Sequence, residues 1–268
     1  MDPNYTNSLY NKGNALSTLG KYEEAIVWYD KVLDVDPNDP NALYNRGLAL
    51  DELGKYEEAI TLYDKALDVN PNDTDALYNK GSVLYSLGKY DEANMWYDKA
   101  LSIDPTYIDA LNGKGDVLYA QQKYDEALYY YDQILTIDLN NTDALFSKGS
   151  IFYEQQQYDE AIQYYDNILA IDSNYMDALN MKAFSLALSD KNEEALPIIE
   201  RGLEIAPNTD YVLATAAFIM HNLGMDDQAK LNYEKALAMN PNLKDMLHEK
   251  ELPVFNKLMS NIINNTKQ

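Results

Sequence analysis

Leu9-Tyr10-Asn11-Lys12-Gly13 returns as Leu43-Tyr44-Asn45-Arg46-Gly47, and again as Leu77-Tyr78-Asn79-Lys80-Gly81. The interval is 34 residues each time. A fixed period of this size makes the repeat, not the whole chain, the unit of structure. One such unit cannot bury its own apolar face, so neighbours must stack.

In a frame that starts at Thr6, seven units follow without a gap: 6-39, 40-73, 74-107, 108-141, 142-175, 176-209 and 210-243. Position 4 is Leu throughout, from Leu9 to Leu213, and position 20 is Ala throughout, from Ala25 to Ala229. Position 8 is Gly in the first five units and then Ala183 and Ala217. Position 24 is Tyr except at Ile199, and position 32 is Pro except at Leu139 and Ser173.

Within a unit the apolar residues recur at i, i+3, i+4 and i+7, which predicts two amphipathic helices. Gly20, Gly54, Gly88 and Gly224 stand where the first helix must stop, because Gly enters the left-handed region freely. Gln122, Gln156 and Asp190 stand there in units four to six, so those turns are expected to close differently. Acidic pairs such as Glu57-Glu58 open the second helix, at the positive end of its dipole. Small residues at positions 8 and 20 let the two helices approach, and large ones at 4, 11 and 24 fill the space around that contact.

Small at 8, Ala at 20, Tyr at 24, Ala at 27 and Pro at 32, over 34 residues, resembles the tetratricopeptide repeat. The resemblance covers residues 6-243. It implies an all-α, right-handed α-solenoid whose first helices line a concave groove that binds peptides or protein partners. Asn192, Ile199, Gly202 and Asp226 depart from the pattern, so altered packing is expected toward the C-terminus.

Two segments flank the repeats. Residues 1-5 match the end of a preceding repeat, with Pro3 in register with Pro37, so either the protein starts there or the chain is a fragment of a longer array. Residues 244-268 read as a capping helix and tail. Leu247 falls at position 4, Glu251 is too large for position 8, and Pro253 interrupts. A second short helix is expected over 254-263.

The chain has 268 residues, no Cys and a formal net charge of −23. No thiolate site or disulfide framework exists. The charge argues against nucleic acid, whose phosphates need Lys and Arg, and against anionic membranes. It also serves solubility without any ligand. No apolar run is long enough to cross a membrane, and the start lacks the basic and apolar regions of a signal peptide. A cytoplasmic protein is expected. There is no His-Glu-x-x-His spacing, Gly-rich phosphate loop or nucleophile elbow, and His221 and His248 stand alone. Neither catalysis nor a cofactor is expected.

In the family, positions 2, 5, 6, 9, 12 and 13 of the first helix face the groove. The candidate groove residues are therefore Tyr10, Asn11, Asn14, Tyr44, Asn45, Asp75, Tyr78, Asn79, Tyr85, Asp109, Asn112, Asp116, Tyr119, Asp143, Phe146 and Tyr153. No Lys or Arg occupies these positions. A lining of one sign selects the opposite sign in its ligand, and Tyr supplies rigid contact area. Asn can donate and accept toward an extended peptide at once. An extended partner segment, basic or neutral, is the expected ligand. Each residue also has a packing reading. Tyr can pack on the next unit, Asp can serve the helix dipole, and Asn can be repeat consensus.

The Lys residues recur at position 7 instead, where the stem can lie on apolar surface while the charge reaches water. The carboxylate clamp that some family members use on chaperone tails needs cations where this chain has Tyr10, Asp75 and Asn79, so it is rejected. A structural role, end-to-end self-association, or service as the substrate-reading part of a larger protein are the alternatives.

Overall fold

The computed structural model describes the backbone of residues 3–265 and the side chains of residues 6–259; the expectations for Met1, Asp2 and the Ile262 side chain lie outside these. The chain forms two compact units, one running to Ile137 and the other starting at Asp138. Both are helical, and among the described residues there is no strand.

The first unit consists of α1 (Pro3–Thr18), α2 (Tyr22–Leu33), α3 (Pro40–Glu52), α4 (Tyr56–Val69), α5 (Thr74–Ser86), α6 (Tyr90–Ile103), α7 (Ile108–Ala120) and α8 (Tyr124–Ile137). The second has α9 (Thr142–Glu154), α10 (Tyr158–Ile171), α11 (Met176–Leu188), α12 (Asn192–Ile205), α13 (Asp210–Asn222), α14 (Asp226–Met239), α15 (Leu243–Met246) and α16 (Glu251–Asn265). Odd and even helices pair in sequence. Within a unit an even helix also touches the next odd one, α2 with α3, α4 with α5 and α6 with α7 in the first, and α10 with α11 and α12 with α13 in the second. Successive odd helices meet directly, α3 with α1 and α5, α5 with α7, and α11 with α13. The odd helices are therefore the inner row of each unit.

The core explains the repeat. Tyr29, Tyr63, Tyr97, Tyr131, Tyr165 and Tyr233, all at position 24, are among the largest fully buried side chains. Each of the first five lies against the Gly at position 8 of its own pair. A Cβ on Gly47 would sit 2.8 Å from Tyr63 Cε1, and one on Gly81 2.6 Å from Tyr97 Cε1. The glycine is a socket for the ring. In the pair α11–α12 the ring is replaced by Ile199 and the socket closes to Ala183, both 0 % exposed. In α11–α12 the two positions share one volume and both change, whereas α13–α14 keeps Tyr233 beside Ala217.

The turns correct one expectation. Gln122, Gln156 and Asp190 adopt φ of 58°, 60° and 61°, beside 70–78° for the four glycines. Their hydrogen bonds match as well. Lys123 N donates to Leu118 O at 2.8 Å, as Lys55 N does to Leu50 O at 2.8 Å. This is the Schellman closure in both cases, so these turns close the same way and carry the strain of a side chain in the left-handed region.

Both flanks differ from the sequence expectation. Pro3, Asn4 and Tyr5 are the first turn of α1, not a post-helical turn, as suits a proline whose missing N–H is an orphan there anyway. At the other end α15 stops at Met246, and Leu247 is extended (ψ 139°). A single helix, α16, then starts at Glu251 with Pro253 inside its first turn, where proline is tolerated. Its Phe255 and Met259, at most 1 % exposed, close the core over Tyr233. The Phe255 and Tyr233 rings meet edge-on at 5.2 Å.

Candidate binding surface

The inner row positions its aromatic residues by packing them on the buried tyrosines. Tyr10 lies 6.1 Å from Tyr29, Tyr44 6.0 Å from Tyr63, Tyr78 5.8 Å from Tyr97 and Phe146 5.8 Å from Tyr165, centroid to centroid. Tyr85, Tyr119 and Tyr153 rest instead on the tyrosine that opens the following helix, Tyr90, Tyr124 and Tyr158, at 5.4–5.8 Å. Each of these rings is half-buried, one face packed and the other open. Packing and presentation are therefore one arrangement.

The asparagines differ from the expectation. Asn45 Nδ2 donates to the Tyr10 hydroxyl at 2.6 Å and to Asn41 O at 3.0 Å. Asn79 Nδ2 repeats this, to the Tyr44 hydroxyl at 2.9 Å and Asp75 O at 2.8 Å. Both amide protons are used within the protein, so the two asparagines hold the tyrosine ladder in register and offer a ligand only an acceptor. Asn11 is exposed on α1.

Several carboxylates are also engaged. Tyr107 donates to Asp75 at 2.6 Å and Tyr211 to Asp177 at 2.8 Å, each reaching back one repeat. Burial, then this bond, pushes the Tyr211 hydroxyl up to about 12. At position 9, Asn14 accepts from Tyr29 at 2.9 Å and Asp116 from Tyr131 at 2.7 Å. Asn112 donates to Asp116 as well, at 2.9 Å. Asp109 and Asp143 are exposed on the inner row. Burial and then the carboxylates of Asp75 and Asp73 raise the Tyr44 hydroxyl, and burial and then Asp109 and Asp116 raise that of Tyr78.

The position-7 cations are not simply sent to water. Lys80 pairs with Asp64 and Lys114 with Asp98, each on the second helix of the preceding pair. Arg46 meets Asp30 at 2.7 Å in the same way. The ammonium groups also lie over the ring of their own second helix, Lys80 3.7 Å from the Trp96 centroid and Lys12 3.8 Å from that of Trp28. Such contacts are worth ~0.5–2 kcal/mol, least at the exposed Lys12 and most at the buried Lys80. The ion pairs fasten Lys80 and Lys114 between repeats, and the ring contacts hold Lys12 and Lys80 within one.

In the second unit the tail builds a cavity of about 330 Å³ over the inner row. Tyr153 and Glu154 come from α9, Asn180 and Phe184 from α11, Tyr211 and Thr215 from α13, and Leu247, His248 and Glu251 from the tail. The tail is held by a reciprocal capping box. Glu251 Oε2 accepts from His248 N at 3.0 Å, and His248 Nδ1 accepts from Lys250 N at 3.2 Å. Histidine takes the place of the usual Ser or Thr. Its ring packs edge-on against Phe184 at 5.4 Å. Burial raises the Glu251 carboxyl to about 7 and lowers the His248 imidazole. The other histidine, His221, pairs through Nδ1 with Asp226 across a turn.

The sequence places Tyr211 at groove position 2, but no groove position of the seven repeats falls on Tyr107, Tyr175 or the tail residues. Tyr107 and Tyr175 occupy N-cap sites of α7 and α11 without a side-chain cap, where Asp39, Asp73 and Asn141 do cap. A tyrosine at a capping position was the available signal, since it forgoes ~1 kcal/mol of cap energy. For the tail it was the His-x-x-Glu spacing ahead of an apolar run.

Family models of the tetratricopeptide repeat match residues 73–140, 112–175, 152–218 and 212–243. The model of the anaphase-promoting complex, cyclosome, subunit 3 matches residues 18–100. No curated protein matches the chain. Among solved structures, a tetratricopeptide repeat protein from Parabacteroides merdae is 20% identical, with 95% of this chain and 98% of that one covered and a TM-score of 0.71. The pilF protein of Pseudomonas aeruginosa is 20% identical over 77% of this chain and 94% of its own, at a TM-score of 0.66. These two likenesses show the fold alone. YrrB, described as a tetratricopeptide repeat protein with an unusual peptide-binding site, is 25% identical over 69% of this chain and 95% of its own, at a TM-score of 0.53.

Proposed function

Because this chain belongs to the tetratricopeptide-repeat family, we propose that it is a non-catalytic scaffold whose inner helix row binds an extended partner segment of basic or neutral character. The observation that carries this is the division of charge. Cations are fastened between repeats, on Asp64 and Asp98 among others, while the inner row presents tyrosine faces and the exposed carboxylates of Asp109 and Asp143. The peptide-binding site named for YrrB supports the same class of ligand. A lining of exposed carboxylates attracts a cationic segment and repels acidic ones. No described helix is long and apolar enough to cross a membrane.

The test is a charge reversal that leaves packing alone. Asp109→Lys alters an exposed side chain of the first unit. Peptide-array binding of basic segments should fall several-fold, and rising salt should weaken the wild-type signal. Equal binding of acidic and basic segments would overturn the reading.

A further inference from the structure

The tail cavity of the second unit has a lining with a consistent chemistry. Asn180, 7 % exposed, lies in its wall with Oδ1 buried and without a hydrogen-bond partner. Glu251, 6 % exposed, uses Oε2 for the His248 N–H, and a carboxylate has a second oxygen to offer. Glu154 adds another carboxylate, and Asp210 a further negative charge whose oxygens accept from Tyr211 N and Asn240 Nδ2. No Lys or Arg lines the space. Two that adjoin lining residues in sequence are committed elsewhere: Lys250 Nζ donates to Leu188 O at 3.2 Å, and Lys182 pairs with Asp166. The walls are aromatic: Tyr153, Phe184 and Tyr211.

We propose that this cavity is a socket for one cationic side chain, an arginine or lysine of a bound peptide, with its stem between the aromatic walls and its N–H donors on Asn180 and Glu251. The proposal rests on the peptide-scaffold reading and names the group that reading leaves open. A buried carboxylate without a cation is costly, and an entering guanidinium both pairs it and satisfies the orphaned amide oxygen. Tyr153, Asn180, Phe184 and Tyr211 stand at inner-row positions 12, 5, 9 and 2 of their repeats, so the socket continues the surface proposed for the peptide backbone. That continuity favours a side chain over a free amine. About 330 Å³ suits one long side chain and not a folded element.

The experiment is calorimetric titration of the full chain with three probes: a blocked alanine-rich peptide with one central arginine, the same peptide with citrulline, and agmatine. The arginine peptide should bind at least tenfold tighter than the citrulline peptide. Asn180→Leu should weaken it at least fivefold, and Asn180→Asp, which adds a carboxylate in nearly the same shape, should tighten it. Equal binding of arginine and citrulline peptides, or weaker binding by the unfolding-tested Asn180→Asp chain, would overturn the socket. Agmatine binding as tightly as the arginine peptide would overturn the peptide as its source. Asp109→Lys lies in the other unit, so the socket can fail while the broader reading stands, and the reverse.

Discussion

The hydroxyl of Tyr29 donates to Asn14 at 2.9 Å, one inner-row residue reaching a ring that is 1 % exposed. Position 9 is therefore where the fold supplies, or withholds, an acceptor for its buried tyrosine. In the next repeat the residue is Leu48, and the Tyr63 hydroxyl is buried without a partner. Losing a satisfied hydroxyl costs ~1 kcal/mol, whereas an unsatisfied one is itself a liability of ~1–3 kcal/mol. Tyr63→Phe should therefore leave the urea midpoint unchanged or raise it, while Tyr29→Phe lowers it. The same loss in both variants would remove the distinction.

Gly47 faces the same ring, and a methyl there would come within 2.8 Å of Tyr63 Cε1. Gly47→Ala gains ~1 kcal/mol of helix propensity but overpacks a closed site, at ~1–3 kcal/mol. A net fall in Tm is expected. Adding Tyr63→Ile copies the Ala183 and Ile199 pairing, so the double variant should be more stable than the two single losses added together. Strict additivity would show that the two positions share no volume.

Ala127 is 0 % exposed at the meeting of α7 and α8. Ala127→Leu should cost ~1–3 kcal/mol by overpacking, seen as an earlier thermal midpoint. An unchanged midpoint would mean that the helices there do not approach closely.

Gln156 holds φ at 60° in the turn after α9. Glycine relieves the ~1 kcal/mol that a side chain costs in the left-handed region. Gln156→Gly should raise Tm by a few degrees at most, and Gly54→Ala, at φ 70°, should lower it by a similar amount.

Glu251 makes stability depend on pH. Its folded pKa, about 7, lies above the ordinary value of 4.5, so the folded state holds the proton more tightly. The stabilisation is complete below pH 4.5 and is lost as pH rises through about 7. His248 has the opposite sense: burial lowers its pKa, so it removes stability as pH falls below 6.5. Above pH 6.5 the imidazole is mostly neutral in both states, so Glu251 dominates the slope and His248 opposes it only weakly. Wild type should therefore be less stable at pH 8 than at pH 6.5, by ~1 kcal/mol, and Glu251→Gln should flatten that slope. Urea titrations at the two pH values measure it.

Much of the fold was legible because its determinants are local and periodic. Leu at position 4, Gly at 8 and Ala at 20 announce two helices and their contact in each repeat, and the 34-residue period multiplies that signal. The candidate surface was legible as a list of positions but not as hydrogen bonds. Nothing in the sequence near Asn45 shows that its amide protons go to Tyr10 and Asn41. Nor does any local rule tell Gln122 to copy the glycine turn. Tertiary packing imposes φ of 58° there against propensity.

The amino-acid sequence by itself determined the helix pairs, the stacked repeat and the absence of Lys and Arg from positions 2, 5, 6, 9, 12 and 13, because each follows from residue type at a fixed spacing. Only the tertiary structure decided which polar groups on that row are spent and which are open. It alone also placed Glu251 against α9, α11 and α13 and made a cavity with the unpartnered Asn180. The reason is physical. A hydrogen bond or a burial cost belongs to two groups that the chain brings together, and for Asn180 and Glu251 those groups are 71 residues apart with no repeat to signal the meeting.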